Sequence, residues 1–588
     1  MARPQQRQAV TASIAAPIGG WNARDSVAEM NPLDAVVLQN WYPTPSDIVL
    51  RKGYSIQSSS ISGQVNSLMN YAGPTSQELF AVAGSKLYDA TSSTAVEELT
   101  GLANDKFQYV NISTAGGNFL VACNGADPVL VYNGTYWFKI ATTSTGATVN
   151  TITRGGTGNL TATVTTAVAH NLITGNQVTM TGCTPAQFNG TFRVTVTGAN
   201  NFTYVMATAP ASDATVVGTY IPTGITGADS STFVNINLYK NRLWFVQEDT
   251  MKVYYLPVNS IAGASSEINF GGIARSGGYL QAMGTWTIDA GQGVDDYAAF
   301  VTSMGEVIIY TGTDPTDPNN WSLRGVWQLG QTFTRRCFLK WGGDLLLLTQ
   351  DGLVPMASAL QSSRLDPRIN LTDKIFFAIA QAADLYQTNF GWQIAYYAKQ
   401  NMLIINVPAN DGPQQFVMHT ITKAWANFTD INAKCFEIHN DDMYFGGNGY
   451  VGKFWDTNAD NETNIVASVQ QAYSYFDSRG QQKRFTMVRP ILQTDNGTPN
   501  IVCGINVDFD TTNVAGSVTF SPATLGVGVW DTSLWDDAVW SGGLVVNKVW
   551  QGVSGIGYSA GMFMNLASQD INVRWASTDY VMERGGVI

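Results

Sequence analysis

The side chains able to do chemistry are few and scattered. The chain of 588 residues has three histidines, His170, His419 and His439, and five cysteines, Cys123, Cys183, Cys337, Cys435 and Cys503. Nucleophilic or acid–base catalysis needs its groups in a recognisable local setting, and no nucleophile elbow, phosphate-cradling loop or zinc spacing is present. The cysteines are odd in number, widely spaced and mostly set in apolar runs, which predicts reduced, buried thiols in a chain folded in a cytoplasm. His170 has no second His, Cys or carboxylate cluster beside it and reads as a turn residue rather than a ligand. Asp456 to Glu462 imitates the start of a calcium loop, but Asn461 stands where the sharp turn needs Gly and Ala467 where the bidentate Glu belongs; it reads as a solvated turn. The expectation is therefore no catalytic residue, no cofactor and no metal, and hence no enzyme.

The elements that would position any site are strands. Seven hairpins return along the chain, with first strands starting near residues 79, 119, 243, 299, 345, 402 and 443. Examples are Leu79-Phe80-Ala81-Val82-Ala83 turning into Leu87-Tyr88-Asp89, and Leu345-Leu346-Leu347-Leu348 turning into Leu353-Val354-Pro355-Met356. All but one of the intervals lie near the length of a propeller blade, about 40 to 50 residues. The expected fold is all-β, a β-propeller of six to eight blades; an irregular stack of sandwiches is the alternative. The long interval after residue 119 calls for an insertion, supplied by 145–222. There Thr, Val, Gly and Asn alternate strictly, as in Leu160-Thr161-Ala162-Thr163-Val164-Thr165, which predicts a separate small β-sandwich or barrel. Its stretch from Ala169 to Gly182 resembles the immunoglobulin-like modules inserted in phage virion proteins.

One long helix is predicted near 371–387, with Ile375, Phe376, Ile379, Ala382, Ala383 and Tyr386 on one face and Thr372 as its N-cap. The expected division is an N-terminal arm and docking segment at 1–64, first blades at 65–144, the insert at 145–222, remaining blades at 223–462, and a C-terminal β-rich assembly domain at 463–588. The last of these carries a basic run from Arg479 to Arg489, read as a strand edge with solvated charges. It also carries Trp530, Trp535 and Trp540, whose spacing of five fits neither a helix face nor a strand face. Folding in the subunit core and contact between subunits both remain open for these tryptophans, which are the candidate subunit interface.

The bulk composition points the same way. Charged residues make up 13% and the formal net charge is −12. Tight wrapping of nucleic acid needs clustered Lys and Arg, so this balance speaks against it. An enzyme of the sialidase kind, which also uses propellers, would show repeated Asp-box turns; Asp317-Pro318-Asn319-Asn320-Trp321 is a faint single copy without the glycine.

The opening of the chain reads Gly19-Gly20-Trp21-Asn22-Ala23-Arg24-Asp25, then Pro32-Leu33-Asp34-Ala35-Val36, Tyr42-Pro43 and Arg51-Lys52-Gly53-Tyr54. A short helix from about Leu33 to Asn40 is expected, with Asp34 in its first turn. This opening resembles that of podovirus tail nozzle proteins, also called tail tubular protein B, which are related in architecture to packaged-DNA stabilisation proteins. The C-terminal aromatic stretches resemble the same family.

The resemblance implies a structural protein of the virion, made in the host cytoplasm and placed at the distal end of a short tail. Its partners would be further copies of itself in a homohexameric ring, a tail adaptor ring, tail fibres or spikes, and a plug or needle protein. DNA would pass through without sequence-specific binding, and the host surface would be met indirectly. The alternative is a propeller-based adhesin that binds a host receptor or glycan.

Overall fold

The computed structural model describes residues 9–289, 294–359, 369–495, 499–510, 515–520 and 545–587. The chain is all-β. Five of the seven hairpins are the central pair of a four-stranded antiparallel sheet; the fifth is the last pair of three described strands, and the sixth lies near one end of a ten-stranded sheet. The first sheet runs Val65–Ala72, Gln77–Ala83, Lys86–Asp89 and Val96–Thr100, and the second Gln108–Thr114, Gly117–Cys123, Leu130–Tyr132 and Trp137–Lys139. The third and fourth begin with Phe233–Tyr239 and Leu280–Asp289. The fifth, of three described strands, begins with Phe338–Trp341, the sixth with Gln393–Tyr397 and the seventh with Phe436–His439.

These first strands follow one another in a circle, with that of the seventh sheet lying against that of the first. No sheet closes on itself. The ring closes through side chains packed between sheets and through one exchanged strand: Tyr54–Ser58, from near the start of the chain, pairs with Val451–Phe454 as the outer strand of the seventh sheet.

Side-chain alternation explains the packing. Phe80 and Val82 face the second sheet, against Leu120, Leu130 and Trp137. Their neighbours Leu79 and Ala81 face the seventh, against Tyr444 and Val451. In the sixth sheet Leu403 and Ile405 pack with Leu345 to Leu348, while Met402 and Ile404 pack with Phe436 and Phe445. Central strands buried on both faces read as unbroken apolar runs.

The insert follows the second sheet. Its strands form two sheets, one holding Val149–Gly155, Thr161–Thr166, Thr195–Gly198 and Asn201–Val205, the other Gln177–Thr184, Gly190–Arg193 and Val216–Pro222. Ile152, Val164, Met180, Phe188, Phe202 and Tyr204 fill a core of their own. The insert's two ends meet where Ala141 N–H donates to Thr223 O and Ile225 N–H to Ala141 O.

The C-terminal part is a sandwich. One layer is built on Gln481–Thr494 paired with Val573–Val587. The other carries Ile465–Gln471, Ala560–Ser568, Asn500–Val507 and Ala515–Phe520. Trp575, Tyr580 and Leu492 meet Ile501, Ile505 and Met562 between them.

Several expectations are corrected here. From Ala9 onward the N-terminal segment is not an arm: Ala9–Ala15 and Ile48–Leu50 pair with Val573–Val587, and Asp34–Gln39 joins the sixth sheet to the sandwich. Asp34–Gln39 is a strand rather than a helix, because both of its edges meet a partner and Val36, Val37 and Leu38 suit a pleated surface better than a helix. The predicted long helix is a 3-10 turn at Asp373–Ile375 followed by the α-helix Phe376–Tyr386. Thr372 does not cap it; its hydroxyl accepts from Leu353 N–H at 3.0 Å, tying the helix entry to the fifth sheet.

Candidate functional site

The first strands of the seven sheets surround an axial cavity of about 220 Å³. Its wall takes Leu68, Tyr109, Asn235, Met283, Arg336, Gln393 and Glu437, one residue from each sheet or its approach. A second volume of about 390 Å³ opens at one end and shares Gln108, Arg335 and Arg336 with the first. Its rim is the turn after the long helix, from Gln387 to Gly391, together with Lys106 and Glu248.

Arg336 bridges sheets at the axis. Its Nη2 donates to Ser67 Oγ at 2.9 Å, to Asn66 O at 3.1 Å and to Phe107 O at 3.3 Å. Its Nη1 is buried without a hydrogen-bond acceptor, beside the Cys435 thiol, and burial lowers the guanidinium pKa. Across the cavity the Tyr109 hydroxyl donates to the Glu437 carboxylate. Desolvation raises Glu437 to about 7, against the lowering effects of Tyr109, the Ile438 N–H and the Arg336 charge. Phe390 has Lys106 Nζ at 5.2 Å and Arg336 Cζ at 5.1 Å from its ring centroid. Arg335 is held outward by Glu248 at 3.1 Å.

The residues singled out in the sequence lie elsewhere. His170 is satisfied inside the insert: Nε2 lies 3.0 Å from Gly198 O, and Nδ1 accepts from Leu172 N–H. His419 accepts from Thr422 N–H, His439 bonds Asn70 and Asn440, and burial lowers the pKa of both rings. Asp317 closes its own turn through Asn319 and Asn320. The five cysteines are buried and unpaired. Among the described residues no three His, Cys, Asp or Glu side chains gather as metal ligands. Trp530, Trp535 and Trp540 lie outside the described residues.

Two readings of charge are corrected. Asp460 is not in a solvated turn: it is buried, and its carboxylate takes both Nη1 and Nη2 of the fully buried Arg51 at 2.7 and 2.6 Å. The run from Arg479 to Arg489 is not a strand edge: its strand is interior to its sheet, Lys483 is buried among Ser478, Gln481 and Tyr558 carbonyls, and Arg489 binds Asp579, while Arg484 and Arg479, the latter paired with Glu29 at 2.8 and 2.9 Å, are solvated as expected.

The opening motif is a set of clips. Asn22 donates to Asp25 and to buried Asp34, Lys374 to Asp34 and Gly19 O, and Arg24 pairs with Asp25 and Asp373. A Cβ on Gly53 would stand 1.9 Å from Ala459 O, so only glycine fits, and Tyr54 stacks on Tyr450.

No family model matches the chain, and no curated protein matches it. Among solved structures it is similar to BBS1N in complex with ARL6DN, at 14% identity over 47% of this chain and 73% of that one, with a TM-score of 0.20. It is also similar to the β-propeller domain of Myceliophteria thermophila Cps50 (Swd1), at 8% identity over 69% and 100% of the two chains, TM-score 0.26. A third is a Bacteroides uniformis protein provisionally assigned as a 6-phosphogluconolactonase, at 10% identity over 62% and 92%, TM-score 0.25. At these scores none of them carries an argument; the fold rests on this chain's own sheets.

The residues that sequence reasoning missed are Tyr109, Arg336 and Glu437. Their one signal was charge and polarity at the head of each repeat, just before an apolar hairpin, as in Arg335-Arg336-Cys337-Phe338.

Proposed function

We propose that the chain is a structural nozzle-type protein of a short-tailed phage, acting as one rigid subunit of a ring that retains and conducts DNA. One observation carries the reading. The opening residues that resemble the nozzle family, Asn22, Arg24, Asp34, Arg51 and Gly53, are the clips and tight contacts that lock the N-terminal segment to the propeller and the sandwich. A conduit under load needs such internal stitching, whereas an enzyme needs a constellation at a cavity.

The propeller's own bore cannot be the conduit. At about 220 Å³ and crossed by Arg336, Tyr109 and Glu437, it is too small for a duplex whose major groove alone is about 12 Å wide. DNA would instead run through a lumen shared by several copies, as a cyclic ring with repeated heterologous contacts provides. With 44 acidic and 32 basic residues, excess carboxylate on such a lumen wall would let DNA slide.

A second reading, the adhesin, is favoured by the exposed apolar side chains of the insert: Val168, Ile173, Val205, Val216 and Ile221. Electron microscopy of the purified protein and of virions separates the two. A closed ring at the distal tail with a neutral or acidic lumen is expected. A lone copy on the virion exterior, or a strongly basic bore, sinks the conduit.

A further inference from the structure

Gln281 is 7% exposed, and its side-chain amide has no hydrogen-bond partner among the described residues. It lines the volume of about 390 Å³ at the mouth of the axis. Its place in the strand explains its direction: it is the extra residue between the pairs Leu280–Thr302 and Ala282–Val301, and a bulge of this kind re-aims a side chain. A confined amide without a partner is costly, so a molecule that enters the cavity and bonds it is stabilised. Gln108, on the inner strand of the second sheet, lines the same volume. Its Nε2 reaches only the carbonyl of its neighbour Phe107, at 3.2 Å, and its Oε1 takes no donor among the described residues. Two aromatic rings, Phe333 and Phe390, stand in the same wall, Phe333 set by an edge contact with Trp392 at 4.8 Å.

The charges at this mouth are already met. Arg335 pairs with Glu248, Arg336 donates to Ser67, Asn66 and Phe107, and Lys106 lies over the Phe390 ring. What is left for a ligand is neutral: two amides, each offering donor and acceptor in one plane, beside apolar ring surface. A sugar matches that set, because its adjacent hydroxyls donate and accept together while its C–H face covers an aromatic ring. We infer that the mouth of the propeller axis binds one uncharged sugar unit, its hydroxyls on the Gln281 and Gln108 amides and its C–H face against the aromatic wall. A volume of about 390 Å³ lies near the lower end of the range for small-ligand sites, about 300–1,000 Å³, which suits one unit rather than a long chain. The site is independent of the nozzle reading, since a ring subunit can carry it as well as an adhesin can.

The probes are the methyl glycosides of glucose, galactose, mannose and N-acetylglucosamine, added to the full chain and read by saturation-transfer NMR. At least one is expected to bind at millimolar concentration. The matching disaccharide is the second arm: tighter binding assigns the end of a glycan, equal or weaker binding a free sugar, and both support the site. Gln281→Met keeps the length of the side chain and removes the amide. Because that amide bonds nothing in the protein, the variant is expected to fold with an unchanged or higher melting temperature, while its binding weakens about tenfold with the loss of one or two hydrogen bonds. Failure of all four probes to bind, equal binding by wild type and Gln281→Met, or a lower melting temperature in that variant overturns the inference.

Discussion

Arg51 has no exposed surface, and its charge is met by Asp460, which is 409 residues away in sequence. Asn40 and the Lys52 and Thr429 carbonyls take its remaining donors. Truncating one partner of a buried, hydrogen-bonded ion pair strands the other charge, so Arg51→Ala is expected to cost about 3–5 kcal/mol. Urea unfolding measures this, and a loss near zero would mean that the pair holds nothing together. Glu437 gives a prediction of the opposite kind. Its folded pKa, about 7, lies above the unfolded value of 4.5, so between those values the folded state binds more protons than the unfolded. Its contribution is fully present below pH 4.5 and is lost as pH rises through 7. The difference in urea midpoint between wild type and Glu437→Gln should therefore change across that window and be flat above it. His170 sits differently from a ligand: His170→Ala removes the ring's contacts with Gly198 O, Asn201 O and Leu172 N–H inside the insert and should cost about 1–2 kcal/mol there, leaving the propeller's unfolding untouched.

At the level of elements, the sequence was legible where strands are buried on both faces. All seven central hairpins announced themselves as apolar runs, since Leu345 to Leu348 or Met402 to Ile405 can only be interior. The inner strands were illegible because they line a cavity: Gln108, Asn235, Asn237, Gln393 and Glu437 interrupt any apolar pattern. The site was missed for the same reason, as its charges come from separate inner-strand regions that only the ring brings together. Asp34–Gln39 was misread because a local acidic helix start was outweighed by two waiting strand edges. The insert makes a sharp test at this scale. Its ends meet at Ala141 and Thr223, so replacing 145–222 with a short Gly-Ser turn should leave a soluble, β-rich protein by circular dichroism. Aggregation of that variant would show that the second sheet depends on the insert.

At the scale of the whole molecule, propeller and sandwich share a sheet and the insert shares none with either. The ten-stranded sheet runs from the sixth blade through Asp34–Gln39 into the sandwich, while the insert keeps its own interior. Calorimetry should therefore show a large joint transition for propeller and sandwich and a separate small one for the insert. Independent melting of propeller and sandwich would contradict the stitching. The exchanged strand Tyr54–Ser58 has a consequence in time as well as space. A ribosome delivers these residues early and their partner, Val451–Phe454, nearly 400 residues later, so the ring stays open through most of synthesis. Until then Tyr54–Ser58 waits unpaired, as do Ala9–Ala15 and the Asp34–Gln39 edge that meets Ile465–Gln471, the condition in which strand edges join neighbouring chains. A chain cut short before residue 451 has no way to close the propeller, and so a premature stop yields a sticky fragment rather than a smaller folded protein.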